Sequence, residues 1–190
     1  MNDADDPQPG VALVYEDRIP IAWQVLEQHP AAWQLLKAHQ SNEQVLRYLA
    51  SVDDQLQRHD TGEDDHGPVP HEIARLESKL NLLMDMVGRL LGEQVVLPPE
   101  TPVRINADEL QWQTDNPPPA GSLVSVDLYL NPRFPSPIVL HGRIDQVTPV
   151  EGGFRVEMSY CYMSDMVRNG IEKLVFRQHR RLVALSRKGH

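Results

Sequence analysis

The sequence predicts an α+β fold in which a small antiparallel β-sheet or barrel lies between helical segments. After Gly92, short runs of alternating apolar and polar residues are separated by proline- and glycine-rich turns, which is typical of antiparallel strands. Before Gly92 and again near the C-terminus, apolar residues recur at helical spacings. Three regions follow from these patterns: an N-terminal extension with short helices at 1–40, a helical heptad region for oligomerisation at 41–92, and a β-domain with a C-terminal helix at 93–190.

The first 60 residues carry mostly helical signals. A short apolar run at 11–15 predicts an edge strand. Residues 21–36 predict two short helical pieces, because Pro30 interrupts their apolar pattern. A clearer helix begins at Ser41, which is a suitable N-cap, and ends near His59. Its apolar stripe consists of Val45, Leu49, Val52 and Leu56.

Apolar residues within 71–91 follow a heptad repeat. Their spacings alternate between three and four residues, which is the a/d pattern of a coiled coil. This predicted oligomerisation surface, the heptad seam, consists of Ile73, Leu76, Leu80, Leu83, Val87 and Leu90. Branched residues at a with leucine at d favour a parallel pair.

The apolar face of the heptad helix broadens toward its C-terminal end. Further apolar residues occupy c, e and g positions: Leu82, Met84, Met86 and Leu91. A two-stranded coil would leave these side chains partly exposed. Either more than two chains assemble, or the helix that carries Val45 and Leu56 covers the face within one chain. The remaining alternative is a helix that packs only on its own domain.

The β-domain is predicted to hold four strands within residues 95–162. In the first, at 103–112, the apolar alternation slips after residue 107, which indicates a bulge or a turn. A proline-rich turn follows at 117–121. The other three strands are predicted at 124–130, 138–144 and 154–162.

A final helix is predicted over residues 164–186. Its inner face consists of Val167, Ile171, Leu174, Val175, Leu182 and Leu185. The same helix carries basic residues between 173 and 188, and they are the one feature that points toward nucleic acid. The net charge of −9 opposes that interpretation, so we expect neither a nucleic acid nor an anionic membrane as partner.

Composition places the chain among cytoplasmic proteins. No apolar run approaches the roughly 20 residues that span a bilayer. The acidic N-terminus lacks the pattern of a signal peptide. Cys161 is the single cysteine, so no intramolecular disulfide forms, which agrees with a reducing compartment.

No catalytic or metal-binding pattern stands out. His71 and Glu72 begin like a zinc-protease helix, but Arg75 replaces the second histidine. The acidic, histidine-containing loop at 59–66 lacks a fixed ligand spacing. Glycine-rich nucleotide loops and a serine nucleophile elbow are absent. We therefore expect no enzymatic activity, no metal and no cofactor.

Residues 103–185 resemble the PilZ domain, the small bacterial β-barrel module of cyclic di-GMP signalling. The order of segments carries the resemblance, because 103–112 stands where a PilZ strand would be and 117–128 resembles the turn and strand that follow. Residues 137–144 resemble the PilZ strand with a central glycine, and 152–158 with the helix at 176–182 complete the match. The resemblance implies a PilZ-like β-barrel with added N-terminal helices, a coiled-coil helix and a C-terminal helix.

The ligand motifs of the PilZ family are altered in this chain. Where the family has an (Asp/Asn)-x-Ser-x-x-Gly strand, this sequence has Arg104, Asn106 and Glu109, which would form a residual ligand site. The family's upstream Arg-x-x-x-Arg loop has no counterpart, because residues 90–103 contain no lysine or arginine. A bis-phosphate ligand needs cationic donors, so we expect weak or absent cyclic di-GMP binding. The alternative is a true receptor with an altered site that uses Arg104, Arg143 or Arg155.

The heptad helix before the β-domain resembles that of a divergent, oligomeric PilZ subgroup from xanthomonads. In that subgroup, helices with heptad repeats assemble a tetramer through a parallel four-stranded coiled coil. The resemblance implies a homo-tetramer with a signalling or scaffold role in motility, pili or virulence, exerted through protein partners.

Overall fold

A computed structural model of the protein describes residues 13–61, 75–76, 79–80, 82–83, 86–87, 96–131 and 136–188, with the side chains of 52–61 and 181–188 left out. Within these residues, six strands and two long helices can be given bounds. In chain order they are β1 (Tyr15–Val25), α1 (Ala32–Thr61), β2 (Glu100–Ile105), β3 (Glu109–Thr114), β4 (Leu123–Leu128), β5 (Ile138–Val150), β6 (Gly153–Cys161) and α2 (Asp165–Lys188).

The six strands form a closed antiparallel barrel in the order β1-β2-β3-β6-β5-β4. Alternate residues of each strand point inward, where their apolar side chains form a single core. The largest fully buried side chain is that of Trp112 on β3. The predicted α+β fold with a small antiparallel barrel is therefore confirmed.

The strand at the N-terminus corrects the sequence prediction for residues 21–25. β1 pairs with β2 through its first half and with β4 through its second half, so it closes the barrel and is not an edge. The prediction of a helical piece there is wrong. Ile19, Ile21 and Trp23 alternate at a period of two, and all three contact the barrel core. The region 1–40, predicted as an extension, thus supplies a barrel strand, while the division into three regions stays a prediction.

Helix α1 begins earlier than predicted. It runs without a break from Ala32 through Ser41, so Ser41 is not its N-cap. The first turn is instead closed by Gln34, whose Oε1 accepts the Ala31 N–H at 2.8 Å. Because residues 31–40 contain no proline or glycine, nothing interrupts the helix before Ser41.

Helix α2 corresponds to the predicted C-terminal helix and covers one end of the barrel. Ser164 caps it, since its Oγ accepts the Val167 N–H at 3.3 Å. Val167, Ile171 and Val175 are buried in the barrel core. This end, called here the helix-covered rim, is where β1 and β5 begin and where β4 and β6 end.

Candidate functional site

The predicted residual ligand site lies at the tight turn between β2 and β3. The slip in the sequence pattern is this turn, which Asn106 organises. Its Oδ1 accepts the N–H groups of Asp108 and Glu109, both at 2.8 Å, and its Nδ2 donates to Glu109 Oε1 at 3.2 Å. The Asn106 N–H also donates to the Glu109 carbonyl at 3.1 Å. Asn106 and Glu109 therefore form hydrogen bonds with each other, and these bonds fix the shape of the turn.

Arg104 turns away from this turn and toward β1. It lies directly across the strand pair from Glu16, and its Nε is 2.8 Å from Glu16 Oε1. Both side chains are more than half exposed, at 53% for Arg104 and 62% for Glu16. Such an exposed pair contributes at most about 1 kcal/mol. Even so, the carboxylate partly neutralises the one cation that the predicted site contained.

Side chains from helix α2 and strand β6 donate hydrogen bonds to the β2–β3 turn. Arg168 Nη1 donates to the Ala107 carbonyl at 2.6 Å and to Asp108 Oδ1 at 2.7 Å. The Tyr160 hydroxyl donates to the Glu109 carbonyl at 2.9 Å. Burial raises the pKa of Tyr160 far above its usual range, and the Glu109 carboxylate raises it further, so the hydroxyl stays a neutral donor. The turn is thus a fixed, acidic corner of the barrel.

The arrangement at this turn is poorly suited to an anionic ligand. Asp108 and Glu109 present carboxylates, and the nearby cations Arg104 and Arg168 are each paired with an acid. A bis-phosphate requires donors that are free to approach it. Among the described residues, no group of three or more histidines, cysteines and acids is arranged to hold a metal ion.

Residues of the heptad seam are helical and exposed where the structure describes them. Leu76 is 66% exposed, Leu80 60%, Leu83 59% and Val87 50%. Leu82 and Met86, from the broader apolar face, are also more than half exposed. Ile73 and Leu90 lie outside the described residues. The described part of one chain therefore leaves this apolar surface uncovered.

A second polar cluster joins α1 to the helix-covered rim. Asn42, only 1% exposed, donates from Nδ2 to the Val139 carbonyl at 2.7 Å and accepts the Val139 N–H on Oδ1 at 2.8 Å. The last pair of the β5–β6 ladder in this direction is His141 with Cys161. Asn42 therefore takes the place of a strand partner for Val139, where β6 has ended.

Two histidines hold Tyr162 at the same junction. His39 Nε2 lies 2.5 Å from the Tyr162 carbonyl, and the Tyr162 hydroxyl lies 2.6 Å from His29 Nδ1. The rings of His29 and Tyr162 meet edge to face with their centres 6.0 Å apart. Tyr162 has a φ of 58°, in the left-handed region that non-glycine residues rarely adopt.

Comparison with known families identifies the barrel. A family model described as "Atypical PilZ domain, cyclic di-GMP receptor" matches residues 46–188, well over half of the 190-residue chain. The chain belongs to the atypical PilZ domain family. The PilZ resemblance drawn from the strand order is therefore confirmed, and the match extends from within α1 to the end of α2.

A solved structure has a similar fold over most of its length. It is a pathogenic protein from Xanthomonas campestris, described as a new tetrameric PilZ domain self-assembled via an unusual helical bundle. The two chains share 22% sequence identity, the match covers 92% of each, and the TM-score is 0.75. A search of curated proteins finds no match. Within the part of this PilZ protein that the structure describes, no helix is long and apolar enough to cross a membrane.

The α1 junction of the PilZ barrel was not predicted from the sequence. One feature of the sequence does point to Asn42. It lies three residues before Val45, and so it places a polar side chain on the same helix face as the apolar stripe of α1. A polar residue on a buried stripe needs a buried partner. Its partner Val139 is 97 residues away, so no local pattern could name it.

Proposed function

We propose that this PilZ protein is a non-catalytic signalling scaffold that assembles through its heptad seam and acts through protein partners. The observation that carries the proposal is the exposure of Leu76, Leu80 and Leu83 on a helical segment. Complete burial of a leucine contributes about 1.5–3 kcal/mol. A side chain that is more than half exposed still has on the order of 1 kcal/mol to gain from a partner helix.

The described residues argue against a cover from within the same chain. The α1 stripe that was the alternative cover for the heptad helix includes Val45 and Leu49. Val45 is buried in the barrel core, and Leu49 packs against that core. A second copy of the chain is therefore the better cover for the heptad seam. The tetrameric description of the Xanthomonas campestris protein supports the same assembly.

The breadth of the apolar face favours more than two chains. Met86 occupies a g position and is 54% exposed. In a two-stranded coil the g positions lie at the edge of the seam, whereas additional strands bury them. We infer a tetramer, in which these side chains join the core of the bundle.

Solution mass by light scattering tests the assembly on the full chain. We expect wild type at four times the chain mass of 21.6 kDa and the double variant Leu80→Asp/Leu83→Asp at a single chain mass. Arg75→Asp, on the same helix at a c position, is the matched control and should keep the wild-type mass. Met86→Asp should lower the mass if the bundle has four strands and leave it unchanged if it has two. A monomeric wild type would contradict the proposal.

We infer that the scaffold binds cyclic di-GMP weakly or not at all, because its candidate site is acidic and internally hydrogen-bonded. Asn106 and Glu109 shape the β2–β3 turn, and Arg104 pairs with Glu16. Any role in motility, pili or virulence would then be exerted through protein contacts. Titration calorimetry with cyclic di-GMP should give no saturable binding tighter than about 100 µM.

A true receptor with an altered site is the second candidate, favoured by the family's description as a cyclic di-GMP receptor. Arg104, Arg143 and Arg155 lie on β2, β5 and β6 and share the outer face of the barrel. Tight binding that Arg104→Ala abolishes, and that the control Arg180→Ala on α2 preserves, would establish this candidate and overturn the weak-binding proposal.

A further inference from the structure

The N-terminal half of α1 is attached to the barrel through two polar contacts one turn apart. Asn42 bonds to both backbone groups of Val139, and His39 bonds to the Tyr162 carbonyl. A carbonyl oxygen only accepts, so His39 must carry its hydrogen on Nε2. Its other nitrogen is then free of hydrogen while the ring is neutral, and a second proton on Nδ1 adds a positive charge at this junction.

A second imidazole lies in the same small crevice. His141 on β5 lines it together with His39, Cys161 and Tyr162, and the crevice has room for about one water molecule. Burial lowers the pKa of His141, and the neighbouring His39 lowers it further. The neighbouring His39 therefore opposes protonation of His141 across the contact between α1 and the barrel.

We propose that His39 and His141 form a proton-operated latch, which keeps the N-terminal half of α1 docked until both rings are charged and then releases it. Two like charges in a half-buried site repel each other, and each also loses hydration. Because burial lowers the pKa of His141 below its usual value of 6.5, the latch opens only on acidification below that pH.

The other ionisable groups around the junction leave this repulsion in place. On α1, Glu43 pairs with Arg47 at 3.7 Å. Among the described residues, the ionisable groups seen beside the junction include His29 before α1, Cys161 at the end of β6 with Tyr162 after it, and Asp127 on β4 opposite Val139. Neither of the two influences on His141 comes from a carboxylate.

The backbone conformation of Tyr162 depends on whether α1 is docked. His39 holds its carbonyl, and His29 holds its hydroxyl, so the two histidines together keep the residue in its left-handed conformation. Such a conformation persists only while neighbouring contacts enforce it. Release of α1 frees Tyr162 to relax and removes Asn42 from Val139, which leaves a strand edge uncovered. This proposal does not depend on whether the chain assembles.

Hydrogen exchange on the full chain tests the latch at about pH 7.5 and about pH 5.5, after correction for intrinsic exchange rates. We expect the protection of residues 32–50 to fall about tenfold or more on acidification, and to fall further than that of strands β3 and β6. His39→Gln can still donate to the Tyr162 carbonyl but cannot become charged, so it should abolish the loss of protection. His179→Gln, at an exposed position on α2, is the control and should behave like wild type.

Two results would overturn the latch. One is the same loss of α1 protection in His39→Gln as in wild type. The other is a loss spread evenly over α1 and the barrel strands, which would mean global unfolding. His141→Gln gives a second, independent variant with the same expectation. If it does not fold, magnetic resonance titration of the wild-type histidine rings decides, because a latch requires α1 amide signals to change with the second of the two protonations.

Discussion

The two helices use the same chemistry to bind the barrel, which allows a matched test of burial. Asn42 on α1 bonds to the N–H and carbonyl of Val139, at 2.8 and 2.7 Å. Gln178 on α2 bonds to the N–H and carbonyl of Glu16, at 3.0 and 2.8 Å. Asn42 is buried, whereas the contact of Gln178 is exposed to solvent. Removal of each carboxamide should therefore have very different costs.

We predict that Asn42→Ala lowers the free energy of unfolding by about 2–5 kcal/mol. The substitution leaves the partly buried N–H and carbonyl of Val139 without a protein partner, and each such group costs about 1–2.5 kcal/mol. The lower part of the range applies if one water enters the crevice beside His141. Gln178→Ala should cost only about 0.5–1 kcal/mol, because water can replace both of its bonds.

Equilibrium urea unfolding measures both free energies. Far-ultraviolet circular dichroism reports the helices, and tryptophan fluorescence reports Trp112 in the barrel core together with the other tryptophans. Coincident transitions from the two signals support a two-state analysis. Equal costs for Asn42→Ala and Gln178→Ala, or a cost below about 1 kcal/mol for Asn42→Ala, would refute the role of buried backbone groups.

Three further predictions concern packing and pH dependence. Gly142→Ala should lower the free energy of unfolding by about 3 kcal/mol or more in urea titrations, because the new Cβ would lie 2.5 Å from both Met158 Cγ and the Ser159 carbonyl oxygen. When Met158 is already replaced by alanine, the additional cost of Gly142→Ala should be smaller but not zero, since the backbone oxygen remains. Burial raises the pKa of Asp127, so the folded state disfavours its ionised form, and Asp127→Asn should raise the melting temperature at about pH 7 but not at about pH 3. The lowered pKa of His141 means that the unfolded chain binds more protons once the pH falls below 6.5, so wild type loses stability there, and His141→Gln should reduce that loss in melts across the same range.

Much of the barrel could be predicted because its strands have one face in the core. Val124, Val126 and Leu128 on β4 are all buried, and polar residues separate them along the chain. Because successive side chains of a strand point to opposite faces, this alternation indicates a strand with one buried face. Helix α2 is similarly evident from Val167 and Ile171, which lie four residues apart on one face.

The closing strand and the start of α1 could not be predicted, because pairing between distant segments decides both. Ile19 and Ile21 do alternate, but Leu26, Trp33 and Leu36 follow at spacings that also suit a helix. Pairing with β2 and β4 settles residues 15–25 as strand. Ser41 offers a local capping signal, yet the helix passes through it because the preceding ten residues are compatible with helix.

The candidate ligand-site residues could be placed in the strand pattern from the sequence, but their contacts could not, and ligand binding by them stays a prediction. Arg104, Asn106 and Glu109 do lie together on the β2–β3 hairpin. That Arg104 pairs with Glu16, and that Arg168 reaches the turn from α2, follows only from the closed barrel. The neutralisation of both cations is therefore a tertiary property.

Helix α2 links the acidic turn to the first strand, and this has a consequence for any ligand or partner that binds at the turn. Arg168 binds the turn through Ala107 and Asp108, and Gln178 binds β1 through Glu16. The two contacts are ten residues apart, which corresponds to about 15 Å along the helix axis. A molecule that displaced Arg168 would break the polar contact of α2 with the turn, while the buried Val167 and Ile171 still hold this end of the helix in the core. Because Val167 directly precedes Arg168 in the helix and also lines the crevice with His39 and His141, a ligand at the acidic turn and the junction of α1 share one neighbouring residue.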